Sequence, residues 1–314
     1  MGRKRERHRG ELVAIVDLGS SAVRLLLAKV KPDKGYRVLV EERVPTRLGG
    51  GAPGVLPREA IDDTLRAVHR FFADHRTDGR GPRVVAIATS AVRDARNRER
   101  LLAPLRYREG IDVQVLSAGE EARMGAVAAL RSLDFDEGLV ADLGGASLQL
   151  SRVRRGRVVR VTSLPLGAVR TTRRFLPRDP ARPRELRVLR QAVREQLAEA
   201  LPPAVRGENL VGMGGTVRTL ASIHLRHRGE HRADRHGLVM LQSDVTAVRE
   251  RLERSGPRKR RKIRGLKVER ADIILAGAIV IEELMIFGGY LKMIVCTRGV
   301  RDGILLHETF NGRG

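Results

Sequence analysis

Apolar positions along the chain fall into two patterns, short continuous runs and helical stripes, and the two alternate. Residues 11–17 (ELVAIVD) read as a strand buried in an α/β sheet, its apolar run closed by Asp17. A turn of Gly19, Ser20 and Ser21 follows, then strands at 23–30 and 36–42 joined by a turn at 33–35. Pro57 opens a helix whose apolar residues, Ile61, Leu65, Val68 and Phe72, recur at helical spacing. Two more runs, 84–89 and 113–116, predict strands, and the second leads into a helix over 119–130.

The opening pattern then recurs about 125 residues further on. Residues 138–142 (GLVAD) end in Asp142, a turn of Gly144, Gly145, Ala146 and Ser147 follows, and strands are predicted at 148–153 and 158–163. A third glycine turn, 212–216 (GMGGT), stands between a short strand and a helix over 217–223. Ahead of it, residues 183–200 form an arginine-rich helix with Leu186, Leu189, Val193 and Leu197 on one face. Residues 255–267 are basic and broken by Gly and Pro, which predicts a solvated loop. The most apolar stretch, 271–289, carries Asp272, Glu282 and Glu283, so it reads as a buried helix and not a membrane span. The organisation predicted is a basic tail over 1–10, a first domain over 11–130 and a second over 131–314, with the final helix packing on the first domain.

Charge narrows the choice of partner. The 314 residues carry a formal charge of +24, which points to an anion such as nucleic acid, polyphosphate, a phosphorylated nucleotide or a membrane surface. Arginine outnumbers lysine 53 to 8, so compositional drift is an equal explanation of the charge taken alone. Aromatic residues are 3% and Trp is absent, which argues against stacking on single-stranded nucleic acid and against base-specific readout. One cysteine, Cys296, excludes an internal disulfide and suits a reducing cytoplasm. The basic N-terminus is followed by no secretory apolar region, and no membrane partner is expected. Histidines at 224, 227, 231 and 236 cluster without cysteine among many arginines, and His236 reads as structural and not as a metal ligand.

The paired turns carry the chemistry. Small residues after a strand let backbone N–H groups wrap a phosphate, and the Asp at each strand end can hold a divalent cation directly or through water. The turn at 17–25 (DLGSSAVRL) resembles the first phosphate motif of the exopolyphosphatase and guanosine pentaphosphate phosphatase family. The turn at 142–147 (DLGGAS) resembles its second, and 212–216 (GMGGT) is similar to the third motif of the wider actin, sugar-kinase and heat-shock ATPase superfamily. Further stretches fall in family order from about residue 12 to 306: 47–49 (RLG), 88–97 (ATSAVRDARN), 117–123 (SAGEEAR), 163–170 (SLPLGAVR), 265–272 (GLKVERAD) and 298–303 (RGVRDG).

The resemblance implies an α/β fold of two actin-like, ribonuclease H-like domains with a cleft between them. It implies a phosphohydrolase that releases terminal phosphate from inorganic polyphosphate or a guanosine pentaphosphate, usually with magnesium. By the same resemblance Glu121 is the base that activates water, and Asp17 and Asp142 hold Mg2+. The phosphates lie in Gly19, Ser20, Ser21, Gly144, Gly145, Ala146, Ser147, Gly214, Gly215 and Thr216, clamped by Arg24, Arg93 and Arg270, since a guanidinium fork suits phosphate oxygens. Guanosine penta- or tetraphosphate, polyphosphate and a second copy of the chain are the partners it implies. The chain departs from the family at the second turn: Ala146 stands for a Gly, Leu148 for a Thr and Gln149 for a Glu, and the first turn has Ser21 and Ala22 where Asn and Ser are usual. An Ala where positive φ is needed would reshape the loop. Gln149 keeps the shape of the acid but takes no proton, so two readings follow: an enzyme working through Glu121, or a sensor that binds the same ligands without turnover. A kinase of the wider superfamily is a more distant third.

Overall fold

The computed structural model describes residues 11–31, 35–75, 81–201, 208–230 and 232–310; the basic tail, Asp33 and His231 lie outside the described residues. The chain divides into two compact units, residues up to 121 together with those from 301 onward, and residues 122–300.

The first unit opens with β1 (Glu11–Leu18), β2 (Val23–Lys31) and β3 (Gly35–Val44), an antiparallel meander. Helix α1 (Arg58–Asp74), β4 (Arg83–Ala88), the single turn α2 (Ser90–Arg93), α3 (Glu99–Glu109) and β5 (Val113–Val115) follow, and α4 (Ala118–Ser132) begins here. β4 and β5 add in parallel, so the sheet order is β3-β2-β1-β4-β5. β1 is central and paired on both edges, which is why its apolar run is continuous and residues 13–16 are fully buried. Helix α1 lays Ile61, Val68 and Phe71 on this sheet. The inward face is thus rotated slightly from the predicted stripe, with Phe71 in the core and Phe72 at its margin.

The second unit repeats the order. β6 (Gly138–Leu143), β7 (Leu148–Arg154) and β8 (Arg157–Leu164) form the meander; α5 (Ala168–Phe175) and α6 (Pro183–Ala200) lead to β9 (Asn209–Met213) and α7 (Gly214–His227). β10 (Val239–Leu241), α8 (Gln242–Arg254), α9 (Pro257–Arg260), α10 (Ile274–Phe287) and β11 (Lys292–Val295) complete it, and α11 (Val300–Phe310) runs into the first unit. Its sheet reads β8-β7-β6-β9-β11-β10. With β10 set aside as an added edge strand, this is the order of the first sheet, the actin-like, ribonuclease H-like arrangement expected from the sequence.

Helix α10 is apolar all round and its residues 274–285 are buried, as its composition requires. Its two acids stay inside because arginines on α6 and α8 reach them. Arg190 donates to Glu282 and Glu283 at 2.7 and 2.6 Å, Arg194 to Glu283 at 2.6 Å, and Arg249 to Glu282 at 3.0 Å. No helix among the described residues is long and apolar enough to cross a membrane.

One expectation is corrected. Residues 255–267 are not simply a solvated loop: they contain α9, and Arg260, Ile263 and Leu266 are buried. Arg260 is 2% exposed and bonds Asp179 at 3.0 Å and the carbonyls of Ser255, Leu252 and Ala271 at 2.9, 3.2 and 3.3 Å. A guanidinium with that many acceptors can leave water; its neighbours without them cannot.

Candidate active site

In the first unit the candidate residues gather at the C-terminal edge of β1 and β4. Asp17 ends β1 and lies opposite Arg24 in the β1–β2 ladder, and Arg24 Nη1 meets its carboxylate at 3.2 Å. Arg301, from the start of α11, approaches the same carboxylate at 3.8 Å and bonds Glu41 at 2.7 Å. The turn after β1 is fixed from behind. Gly49 N donates to Ser20 O at 2.7 Å, Arg47 N to Ser21 O at 3.3 Å, and the Ser20 and Ser90 hydroxyls lie 3.1 Å apart. The Arg47-to-Gly49 stretch is therefore a brace for the turn, with Arg47 in the left-handed region at φ 54°.

The two adjacent glutamates have different surroundings. Glu120 accepts from Ser117 N at 2.8 Å, while Ser117 Oγ accepts from Glu120 N at 3.2 Å, a reciprocal cap on α4. Those bonds from the Ser117 backbone and hydroxyl hold the Glu120 carboxyl below the usual range. Glu121 faces Arg93, whose Nη1 bonds both its carboxylate at 3.3 Å and Leu116 O at 2.9 Å. Arg93 is thereby a positioning group for Glu121 as well as a candidate phosphate clamp. Asn97, in the same stretch, clasps Leu56 N and O, both at 2.9 Å, and is structural.

In the second unit the turn between β6 and β7 is held by α5. Ala168 N donates to Gly144 O at 3.0 Å, Val169 N and Arg170 N to Gly145 O at 2.9 and 3.1 Å, and Gly167 N to Ala146 O at 3.2 Å. In a trans peptide the N–H points opposite to the C=O, so the amides of Gly145, Ala146 and Ser147 face away from α5, side by side. Successive backbone N–H groups turned the same way are an arrangement that suits an anion. Neither Gly144, Gly145 nor Ala146 has positive φ, so the expected strain from Ala146 does not arise. The demand for small size falls on Gly167 instead, where a Cβ would overlap the Ala146–Ser147 peptide.

At the third turn Gly214 has φ 90°, and a Cβ there would meet Asp142 Oδ1 at 2.7 Å, which places the start of α7 against that acid. The Arg270 guanidinium lies directly on Gly215, where a Cβ would displace it. A helix N-terminus with an arginine across it is suited to phosphate. Thr216 is buried, its side chain packed toward Gly277 of α10, so at this turn the backbone and not the hydroxyl faces outward.

Gln149 lies opposite Asp142 in the β6–β7 ladder, the position that Arg24 holds opposite Asp17. It is 4% exposed, and its amide nitrogen has no hydrogen-bond partner among the described residues. Native structures rarely leave such a donor unpaired. Leu148 beside it is fully buried.

The described histidines of the cluster do not converge. His236 accepts from Thr297 N at 3.2 Å and lies 3.0 Å from Ser132 O, His224 faces Asp244, and His227 faces Arg251. Among the described residues no three His, Cys, Asp or Glu gather as a metal cluster. Arg301, Ser90 and Gly167 escaped the sequence reading as site residues, although all three fall in the 298–303, 88–97 and 163–170 stretches, without a role attached.

A profile of the Ppx/GppA phosphatase family matches residues 27–311. The chain belongs to the Ppx/GppA phosphatase family. It is 32% identical over 314 residues to exopolyphosphatase 2 of Mycobacterium tuberculosis, covering 94% of this chain and 97% of that one. It is 33% identical over 312 residues to an uncharacterised protein of Streptomyces coelicolor, covering 95% and 90%. The crystal structure of the Aquifex aeolicus Ppx/GppA family member superposes with a TM-score of 0.85 at 28% identity, over 97% of this chain and 99% of that one.

Proposed function

We propose that this Ppx/GppA phosphatase releases terminal phosphate from inorganic polyphosphate or guanosine pentaphosphate with Glu121 as general base. The observation that carries the reading is Glu121 itself: a carboxylate at the start of α4, separated in role from the capping Glu120 and aimed by Arg93. Its carboxylate takes a proton from water as the water oxygen bonds to the terminal phosphorus and the bridging P–O bond breaks, leaving a chain shorter by one phosphate. Within the second unit, the amides of residues 145–147, the start of α7 and Arg270 suit non-bridging phosphate oxygens and their charge, and within the first unit Arg24 offers a guanidinium to the same kind of group.

Magnesium fits Asp142, because that ion binds through one or two carboxylates and fills its shell with water and phosphate oxygens. Asp17 engages Arg24 and Arg301, and meets a cation only if those guanidiniums move to phosphate. Bound at Asp142, the ion would offset charge on the phosphate oxygens.

The test is phosphate release from polyphosphate and from guanosine pentaphosphate, with magnesium, for wild type and Glu121→Gln. Release that falls by about 100-fold or more in the variant, with binding kept, is the expected result. Binding without release by wild type favours the second reading, a sensor, for which the buried amide of Gln149 is the specific observation.

A further inference from the structure

Six cations lie within ten residues after α8: Arg258, Lys259, Arg261, Lys262, Arg264 and Lys267, all exposed. Among the described residues none of the six has an ion-pair partner. Three acids near the run are engaged elsewhere, Asp179 with Arg260, Glu253 with Arg249 and Glu250 with Arg254, and exposed Glu269 and Asp272 follow it. Like charges this close repel one another, so the array stands at a cost unless an anion meets it.

The run is held rigidly all the same. Buried Arg260, Ile263 and Leu266 alternate with the exposed cations and anchor the segment, and Gly265, at φ 91°, packs on the Ser222 backbone of α7 without room for a Cβ. The backbone that carries these charges is ordered beforehand, so only the side chains lose freedom when an anion binds, which favours affinity. No aromatic residue occurs between 255 and 271, so nothing there stacks on bases. The run ends three residues before Arg270, which covers Gly215 at the start of α7. The array thus leads along the second unit to the third glycine turn.

We infer that residues 258–267 form a holding surface for the distal part of a linear polyphosphate whose terminal phosphate occupies the candidate site. The inference rests on the polyphosphate reading above. Its recogniser is charge spacing alone: a long chain of phosphates meets successive cations of the run, whereas a triphosphate meets few of them at once.

The test is a variant with Arg258→Gln, Lys259→Gln, Arg261→Gln and Lys262→Gln, which leaves Arg260, Ile263 and Leu266 in place. Binding of long-chain polyphosphate and of tripolyphosphate is measured for wild type and variant across a salt series, with thermal melting as the check on folding. The expected result is a melting point like wild type, roughly tenfold or greater loss of long-chain affinity, a shallower salt dependence, and unchanged tripolyphosphate binding. Equal binding of the long chain by both proteins, or equal loss for long and short chains, overturns the inference while leaving the hydrolase reading intact. Failure of wild type to bind either polyphosphate overturns both. Tighter binding of duplex DNA than of long polyphosphate, lost in the variant, overturns it in favour of a nucleic-acid surface.

Discussion

The two strand-end acids have different partners across their ladders, and the difference is one residue each. Asp17 faces Arg24 and is bonded to it; Asp142 faces Gln149, whose amide nitrogen stands unpaired and buried. Replacing Gln149 by Glu places a second carboxylate beside Asp142 and gives a cation a stronger site. We expect Gln149→Glu to raise phosphate release by about tenfold at saturating magnesium and to steepen its dependence on the ion, read from initial rates over a magnesium series. A sensor would instead lose ligand affinity, since an added negative charge repels phosphate. Much of this site was legible in the sequence, because strand, Asp and small-residue turn is a local pattern. What the sequence withheld were partners distant along the chain. That Arg93 would hold Glu121, Arg301 would reach Asp17 and Gly167 would lie under Ala146 depends on how separate segments pack.

Among the elements, α10 and its buried acids give the sharpest stability forecast. Glu282 is desolvated, which taken alone raises its pKa, but hydrogen bonds from Arg249, Arg190 and Thr246 outweigh that and hold the carboxyl below the usual range. A depressed carboxyl contributes stability above its unfolded pKa and loses it as pH falls through the folded one. Glu282→Gln should therefore cost about 3 kcal/mol at neutral pH, by leaving Arg190 and Arg249 undercompensated, and the gap to wild type should narrow below about pH 4. Urea unfolding of both proteins over a pH series checks this. The same helix shows what element-level reading achieves: α10 and α6 were visible from composition and period. Helix α8 was not, since Val245, Val248 and Leu252 are its only buried apolar residues in thirteen. Nor could the basic run 255–267 reveal that Arg260, alone among its cations, turns inward, because that choice is made by carbonyls and Asp179 from other elements.

For the molecule as a whole, the +24 charge is carried almost entirely by arginine. Arginine keeps its charge well past neutral pH, whereas a lysine surface begins to lose charge near pH 10. Polyphosphate affinity should accordingly vary by less than about twofold between roughly pH 7.5 and 9.5, measured at fixed ionic strength. A larger fall over that range would show that lysine or backbone effects carry the binding. The repeat of one sheet order in two units was legible from the recurrence of strand, Asp and turn, and the added edge strand β10 was not, being three residues long.

The first unit is assembled from both ends of the described chain, since Arg301 reaches Asp17 and Glu41, and Asp302 accepts from Tyr36 at 2.9 Å. During synthesis its first sheet emerges early, yet these contacts wait until the whole second unit has been made, on the order of ten to forty seconds at ordinary ribosomal rates. For that interval Asp17 and Glu41 lack the guanidinium that meets both, while the sheet, core and Asp17–Arg24 contact of the nascent first unit lie wholly in the chain already made. The order of translation thus makes the Asp17 end of the site among the last parts of the protein to be completed.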